Sequence, residues 1–233
     1  MTETRQLFPT PFVIDRLQSK AGMAVLRDAI LAEQARDAAG MQISNVGGWH
    51  SNTNMIEWGG EAARALAYKA MTMADACTAN AGSEQGREYG WVPEMWANVS
   101  RAGASNQYHT HPGSFWSAVA YIDDGYEGDS DPALGGELQL LDPRMPMVRM
   151  TAPDLRLKDA SGAAQNSEPK MRPSSGLIVM FPSWLQHSVR AFHGKGTRIS
   201  IAINLIPARS APQNVAGNEP ALPVQTPGEG TVH

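Results

Sequence analysis

Residues 197–205, with the sequence TRISIAINL, alternate between two kinds of side chain. Because successive side chains of an extended chain point to opposite faces, one face of this segment is aliphatic and the other is mixed and polar. The aliphatic face consists of Ile199, Ile201, Ile203 and Leu205. The polar face consists of Arg198, Ser200, Ala202 and Asn204. The pattern predicts a strand with one face in a hydrophobic core and the other against polar surroundings.

Helical patterns precede most of the strand-like segments along the chain. Apolar residues recur at helical spacing in residues 17–38 and 60–81, and a glycine lies just beyond each segment. The other expected strands are residues 7–14, 94–100, 115–123, 135–142 and 177–181. Two helices followed by several short strands predict an α+β fold, in which an antiparallel sandwich or barrel carries the functional site.

The charge pattern argues against some classes of partner. The chain of 233 residues has a formal net charge of −4 and no block of like charge. Binding to nucleic acid or to an anionic membrane surface usually needs a basic run or patch, so we predict neither partner. No apolar run reaches the roughly 18 residues of a membrane-spanning helix.

Cys77 is the single cysteine, which excludes an intrachain disulfide and is typical of a reducing compartment. It falls on the apolar stripe of the second predicted helix, where we expect it to be buried. The N-terminus lacks the basic segment and apolar core of a signal peptide, so we expect a cytoplasmic protein. Residues 1–208 are predicted to form one domain, and residues 209–233, rich in Pro and Gly, to form a disordered tail.

A candidate metal site begins with His109 and His111, two residues apart. On an extended chain their imidazoles point to the same face and can converge on one ion. Iron, manganese, copper and zinc all accept neutral imidazole. His187 is a third candidate ligand, and three facial histidines leave coordination positions open. Two histidines at this spacing also occur by chance on protein surfaces, although the residues Pro-Gly-Ser at 112–114 favour a shaped turn.

Arg198 is a candidate anion-binding residue. An arginine on the inward polar face of a strand is costly to bury unless it meets an anion. Its guanidinium suits a carboxylate, and the hydroxyl of Ser200 can add a hydrogen bond. The alternative is that Arg198 pairs with an acid of the chain, such as Glu137 or Asp142.

The spacing between the candidate metal and anion sites depends on a predicted hairpin. Residues 193–196, with the sequence HGKG, are expected to turn the chain so that the strand carrying His187 pairs with strand 197–205. His187 would then face Ala202, with Arg198 roughly 13 Å away along the strand. A small dicarboxylate and the long arginine side chain can bridge most of that distance.

Four motifs occur in order along the chain. They are HTHPGS at residues 109–114, GGEL followed by DPR within residues 135–144, GLIVMFPSWLQH at residues 176–187, and RISIAIN at residues 198–204. As a set they resemble the Fe(II)/2-oxoglutarate-dependent oxygenase superfamily, and within it the bacterial and phage 2OG-Fe(II) oxygenases related to prolyl hydroxylases. Residues 7–12 and 96–98 are also similar to that family, so the resemblance covers most of residues 7–207.

The resemblance implies a double-stranded β-helix, a jelly-roll or cupin-like barrel with the N-terminal helices packed on it. It implies Fe(II) held by His109, His111 and His187. The wider superfamily has a carboxylate at the position of His111, completing a two-His-one-carboxylate triad. Glu137 or Asp142 is the alternative source of that carboxylate.

The resemblance also implies 2-oxoglutarate as the cosubstrate, with its distal carboxylate held by Arg198 and Ser200. Tyr108 and Asn98 are further candidates for contact with it. Three neutral ligands leave the iron more positively charged, which favours an anionic cosubstrate. Three-His iron also occurs in dioxygenases that use no 2-oxoglutarate, but Arg198 and Ser200 favour the three-His site with this cosubstrate.

The leading hypothesis is a non-haem iron oxygenase that couples 2-oxoglutarate decarboxylation to the oxidation, and specifically the hydroxylation, of a substrate. One alternative is a three-His cupin-type dioxygenase independent of 2-oxoglutarate. Another is a non-catalytic metal-containing barrel that binds a ligand. The substrate is expected to be a small molecule or a peptide, whose identity the fold does not give. A homodimer is one option for the oligomeric state.

Overall fold

The structure is a computed structural model, and it describes residues 5, 7–81, 89–147, 152 and 154–209. The helices of these residues are α1 (Lys20–Arg36), α2 (Met55–Trp58) and α3 (Gly60–Cys77), and a 3₁₀ turn covers Pro132–Leu134. The strands of the first half are β1 (Val13–Arg16), β2 (Asn45–Val46), β3 (Trp49–His50), β4 (Tyr89–Ser100) and β5 (Ser105–His109). Those of the second half are β6 (Trp116–Asp123), β7 (Leu138–Leu140), β8 (Lys170–Met171), β9 (Leu177–Pro182), β10 (His187–Val189) and β11 (Arg198–Arg209).

The strands form two antiparallel sheets. The larger sheet has the order β1-β9-β6-β11-β4-β3, and the smaller sheet has the order β2-β5-β10-β7-β8. From β4 to β11 the chain passes repeatedly from one sheet to the other. This is the arrangement of a jelly roll, in which one face of each sheet lines a common interior.

The outer face of the larger sheet packs against the helices. The aliphatic face of β11, including Ile199 and Ile203, lies in one buried cluster with Leu66 of α3 and with Leu26 and Ile30 of α1. Burying each of these side chains contributes about 1.5–3 kcal/mol relative to leaving it exposed. The helices therefore cover the apolar face of the sheet, as the alternation in residues 197–205 predicts.

The other face of β11 looks into the barrel. β11 pairs with β6 on one side and with β4 on the other, and its ladder with β4 runs from the pair Arg198–Ser100 to the pair Arg209–Tyr89. Because the register fixes which side chains lie side by side, this ladder sets the positions of the polar groups in the interior. The predicted α+β barrel with N-terminal helices on its outer face is confirmed.

The predicted hairpin between the strand of His187 and residues 197–205 is wrong. β10 lies in the smaller sheet between β5 and β7, whereas β11 lies in the larger sheet. The turn residues between them carry the chain across the barrel rather than back along one sheet. His187 and Arg198 therefore lie on different sheets of the barrel, and the strand spacing of a hairpin does not set their separation.

Several other expectations are corrected in detail. β1 begins at Val13 rather than residue 7, although it does lie at a sheet edge. Cys77 is exposed rather than buried, because it is the last residue of α3. All of the predicted tail except Arg209 lies outside the described residues. None of the helices in the described part of the chain is long and apolar enough to cross a membrane.

Candidate metal centre

Three histidines converge inside the barrel from two strands and a turn. His109 ends β5 and is the ladder partner of His187, which begins β10. His111 lies beyond β5, in the following turn, where its backbone N–H donates to the carbonyl of Ser183 at 2.9 Å. The expectation that His109 and His111 share one strand face is therefore corrected. The turn still brings the His111 ring centre to 4.9 Å from that of His109 and 5.1 Å from that of His187.

The spacing of the ring nitrogens fits one ion. One nitrogen of each histidine lies within 4.8 Å of the other two, and no other group of three His, Cys, Asp or Glu residues does so in the part of the chain that is described. Nε2 of His111 and Nε2 of His187 are 3.3 Å apart. Two nitrogens bound to one metal ion at about 2.1 Å, at right angles to each other, lie about 3 Å apart. The two rings are thus placed as adjacent ligands.

Backbone carbonyls orient two of the three rings. Nδ1 of His109 is 2.7 Å from the carbonyl oxygen of Gln107, and Nδ1 of His187 is 2.9 Å from that of Leu185. A carbonyl only accepts, so each Nδ1 carries the proton and donates it. The lone pair of each ring then lies on Nε2, which in His187 is the atom 3.3 Å from His111 Nε2, and a free Nε2 lone pair is what a metal ligand needs.

Burial keeps the imidazoles neutral. It lowers the pKa of His187 to about 3 and that of His111 to about 4, and the nearby His109 adds to both shifts. Burial also lowers the pKa of His109 itself. At neutral pH all three rings therefore offer lone pairs rather than positive charge, so the donor set fits a divalent transition metal.

Across the barrel lies a second cluster of buried polar atoms. Arg198 is only 2% exposed, and its Nε has no hydrogen-bond partner among the described residues. The same holds for the hydroxyl of Tyr121, a fully buried residue of β6 whose ring centre is 5.3 Å from the Arg198 guanidinium carbon. Ser200, also buried, is the ladder partner of Tyr121. Buried polar atoms are normally hydrogen-bonded, so these donors fit an acceptor that the described residues do not supply.

A carboxylate fits this cluster. Burial raises the pKa of the Tyr121 phenol, with Arg198 partly offsetting the effect, so the hydroxyl keeps its proton and can donate it. The guanidinium offers several N–H donors in a plane, and a carboxylate accepts from both groups. The distal carboxylate of 2-oxoglutarate is a ligand of this kind.

The two acids considered as partners of Arg198 pair elsewhere. Glu137 accepts from Arg190 at 3.2 Å, and Asp142 accepts from Arg144 at 2.7 Å. Neither acid belongs to the group of potential metal ligands. Among the described residues, the group that could hold a metal ion therefore consists of histidines alone.

The metal centre and the anion-binding cluster line the same cavity, which has a volume of about 270 Å³. The inward face of β11 runs along it from Arg198 to Asn204, and Asn98 of β4 lines it as well. Tyr108 is 40% exposed and is not among the lining residues of the described chain. A contact between Tyr108 and the cosubstrate stays a prediction that its position does not support.

Three residues of the site were missed by the sequence analysis: Tyr121, Glu94 and Asn204. Ser117 Oγ donates to Asn204 Oδ1 at 2.9 Å, while Asn204 Nδ2 lies 3.3 Å from Glu94 Oε2 and 3.4 Å from His111 Nδ1. Tyr121 could have been found, because it alternates with Ser117 on the face of β6 that meets the polar face of β11. Glu94 shares a strand face with the candidate Asn98, but its place beside His111 depends on the pairing of β4 with β11.

Comparison with known families agrees with this geometry. Residues 94–204 match the sequence profile of a family described as "Putative 2OG-Fe(II) oxygenase". The matched segment contains all three histidines, Arg198 and Ser200. No curated protein shows a significant sequence match.

Solved structures of 2-oxoglutarate-dependent oxygenases share the fold. A prolyl hydroxylase from Trichoplax adhaerens, in complex with a hypoxia inducible factor peptide, is 14% identical with a TM-score of 0.56, over 84% of this chain and 83% of that one. A prolyl-4-hydroxylase from Pseudomonas putida is 16% identical with a TM-score of 0.52, over 84% and 92%. HygX from Streptomyces hygroscopicus, with nickel, 2-oxoglutarate and hygromycin B bound, is 11% identical with a TM-score of 0.56, over 85% and 83%.

At these identities the structural likeness establishes the fold, which is the double-stranded β-helix implied by the motifs. The family match covers the strands from which the metal centre and the anion-binding cluster are built. Through this barrel segment, residues 94–204, the chain matches the 2OG-Fe(II) oxygenase family, whose members couple 2-oxoglutarate decarboxylation to oxidation of a substrate.

Proposed function

We propose that the enzyme hydroxylates a C–H bond of a small molecule or peptide, with Fe(II) held by His109, His111 and His187. The distal carboxylate of 2-oxoglutarate is held by Arg198 and its neighbours. The observation that carries this assignment is that a buried arginine, with no acidic partner among the described residues, lines the same cavity as three neutral imidazoles.

The iron and cosubstrate supply the oxidising chemistry: O₂, 2-oxoglutarate and the substrate C–H yield CO₂, succinate carrying one oxygen atom, and a C–OH group carrying the other. The chain contributes position and charge. His109 and His187 are held by the carbonyls of Gln107 and Leu185, which keeps their Nε2 lone pairs directed inward. Because all three ligands are neutral, they leave the positive charge of the ion undiminished, and this favours an anionic cosubstrate.

The second cluster gives the cosubstrate its direction. Arg198, Tyr121 and Ser200 lie around one end of the cavity, and each can donate a hydrogen bond to a carboxylate. With the distal carboxylate bound there, the 2-oxo acid end of the same molecule points toward the histidines. Hydrogen bonds to charged groups contribute about 1.5–3 kcal/mol each, which is enough to select a dicarboxylate over a monocarboxylate.

The cavity suits a substrate that presents only part of itself to the metal centre. Its volume of about 270 Å³ lies near the lower end of the range of small-molecule sites, and it must also hold the cosubstrate. Among structures with the same fold, one is a complex with a peptide and another with hygromycin B. We therefore propose that a side chain of a peptide, or one end of a small molecule, enters the cavity.

An anaerobic titration tests the proposal. Iron-loaded protein is titrated with 2-oxoglutarate and followed by visible absorption. We expect a charge-transfer band that grows to saturation. The band should be lost in Arg198→Ala, because the distal carboxylate has no anchor, and His187→Ala should not retain iron at all. Arg190→Ala, which removes a 45% exposed arginine paired with Glu137, is the matched control and should keep the band.

Iron bound at full occupancy without any band would refute the cosubstrate assignment. The three-His site would then be one that uses no 2-oxoglutarate, and direct dioxygenase activity or plain ligand binding would be tested next. Iron retained at the native level by His187→Ala would refute the metal centre itself.

A further inference from the structure

Glu94 is an acid inside the cavity that the proposed chemistry leaves unused. It lies on β4, and its side chain shares a strand face with those of Trp96 and Asn98, all of which line the cavity. It is the only Asp or Glu among the lining residues of the described chain, just as Arg198 is the only Lys or Arg. The cavity thus has one cationic and one anionic side chain.

The carboxylate of Glu94 has unused hydrogen-bonding capacity. No Lys, Arg or His forms an ion pair with it within the described ranges. Its hydrogen bond comes from Asn204 Nδ2, at a long 3.3 Å. A carboxylate has about four acceptor positions, and Glu94 is half-buried, so its charge is neither fully hydrated nor balanced by a nearby cation.

Glu94 lies at the metal end of the cavity, away from Arg198. In the β4–β11 ladder Arg198 pairs with Ser100, whereas Asn204 pairs with Glu94. The two pairs are separated by about 20 Å of strand. Asn204 Nδ2 is 3.4 Å from His111, which places Glu94 beside the metal ligands. The cosubstrate extends from Arg198 toward the ion, so the space at Glu94 is left for the substrate.

Metal binding makes Glu94 more available. When Nε2 of His111 binds a metal, its Nδ1 carries the proton and needs an acceptor. In the structure, however, Asn204 presents its Nδ2, a donor, to Nδ1 of His111. Rotating the amide brings Oδ1 to His111 and turns Nδ2 toward Ser117. Glu94 then loses its donor and faces the amide oxygen, and a positively charged donor placed between the two oxygens satisfies both.

We propose that Glu94, together with Asn204 Oδ1, binds an ammonium or guanidinium group of the substrate and so places a neighbouring C–H bond at the metal centre. Trp96, the next residue on the same strand face, lines the cavity between Glu94 and Asn98. The inference rests on the proposed function, and it names the substrate class as amines, guanidines or peptides with a basic side chain.

The test measures binding of short probes to zinc-loaded protein in the presence of 2-oxoglutarate, where no turnover occurs. Butylammonium, butanol and butyrate have similar length and differ in charge. Saturation-transfer NMR reads each probe by its own signals. We expect butylammonium to bind more tightly than the other two. Its affinity should fall about 10- to 100-fold in Glu94→Gln, which keeps the shape and removes the charge. Glu61→Gln, an exposed acid of α3 that pairs with Arg64, is the matched control and should not change binding.

Blocked lysine and blocked norleucine, each with an acetyl and a methylamide group, extend the test to peptides. If blocked lysine binds through Glu94 and butylammonium does not, the cation belongs to a peptide; if only butylammonium binds, it belongs to a small molecule. Two results would overturn the inference: no preference for the charged probe in either pair (butylammonium over butanol, blocked lysine over blocked norleucine), or binding of the charged probe that survives Glu94→Gln unchanged. Calorimetry with 2-oxoglutarate on the same samples reports the cosubstrate separately, so a failure of the proposed function is distinguishable from a failure at Glu94.

Discussion

Replacing Arg198 by methionine should change the stability of the ligand-free and the 2-oxoglutarate-bound protein in opposite directions. In the ligand-free chain the guanidinium is 2% exposed, its Nε has no hydrogen-bond partner, and no acid of the described residues pairs with it. Leaving a buried polar group unsatisfied costs about 1–3 kcal/mol. Methionine has similar length and no polar hydrogen, so we expect Arg198→Met to be more stable by about that amount without ligand.

The effect of Arg198→Met on stability changes sign when the cosubstrate is bound. The native guanidinium then meets a carboxylate, and truncating one partner of such a buried pair costs about 2–5 kcal/mol. The dissociation constant of 2-oxoglutarate should therefore rise roughly 30- to 5,000-fold in the variant. The stabilisation that saturating 2-oxoglutarate gives to the native protein should be largely lost.

Thermal unfolding of zinc-loaded protein, with and without 2-oxoglutarate, measures both effects, and calorimetry gives the dissociation constant. A change of 1 kcal/mol shifts the melting temperature of a chain of this size by about 2–4 °C. Arg190→Met is the matched control: Arg190 is 45% exposed and pairs with Glu137, so the variant should not gain stability and should bind 2-oxoglutarate normally. A loss of stability in ligand-free Arg198→Met, or binding of 2-oxoglutarate by this variant as tightly as by the native chain, would refute the role of Arg198 as an anion anchor.

Two further variants test neighbouring parts of the argument. Tyr121→Phe removes a buried hydroxyl that has no hydrogen-bond partner in the described chain. Calorimetry should show about 2- to 10-fold weaker 2-oxoglutarate binding, with no loss of ligand-free stability. A clear loss of ligand-free stability would mean that the hydroxyl has an internal partner. A hydrogen bond from Arg144 lowers the pKa of Asp142 below its ordinary value. The ionised acid therefore stabilises the fold at any pH above the ordinary pKa, and this contribution is lost as the pH falls through the lowered pKa. Asp142→Asn should therefore cost less than about 1 kcal/mol in denaturant titrations at pH 7, and the difference should shrink below about pH 4; a cost that persists in acid would contradict the ion-pair origin.

Local patterns predicted the faces of strands well and their partners poorly. The alternation in residues 197–205 was enough to separate the core face of β11 from its cavity face, because the side-chain period of a strand is a local property. The same segment gave no information on whether its neighbour was β10 or β4. The residues HGKG at 193–196 can turn a hairpin or carry the chain between two sheets, and the structure shows the second.

The metal centre was predictable as a set of residues but not as a geometry. His109, His111 and His187 were identified from their spacing and from the family resemblance, yet His111 reaches the centre from a turn anchored on Ser183 rather than from the strand. The position of Glu94 beside the metal ligands could not be predicted from the sequence. It meets Asn204 across 110 residues of sequence, and a contact between such distant positions is set by the sheet order rather than by any local signal.

Helix boundaries show how a single side chain shifts an element. The apolar periodicity placed the first helix from residue 17, but α1 begins at Lys20 because Ser19 accepts a hydrogen bond from the backbone N–H of Gly22 at 2.9 Å. Such a cap contributes about 1 kcal/mol and fixes the first turn. The apolar stripe of α3 likewise extends to Cys77 in the sequence, while the helix end leaves that thiol in solvent.

The long ladder between β4 and β11 fixes the spacing of the two parts of the cavity that would bind the cosubstrate. Arg198 stands near one end of the cavity, and Asn204, beside His111, stands at the other, both on one strand that is hydrogen-bonded along its length to β4. The strand cannot slide by one residue without turning every side chain to the opposite face. The distance between the anion anchor and the metal ligands is therefore set by the backbone and not by flexible loops. We therefore expect a dicarboxylate one methylene shorter or longer than 2-oxoglutarate to bind less tightly, because the backbone leaves little freedom to adjust the spacing of the two sites.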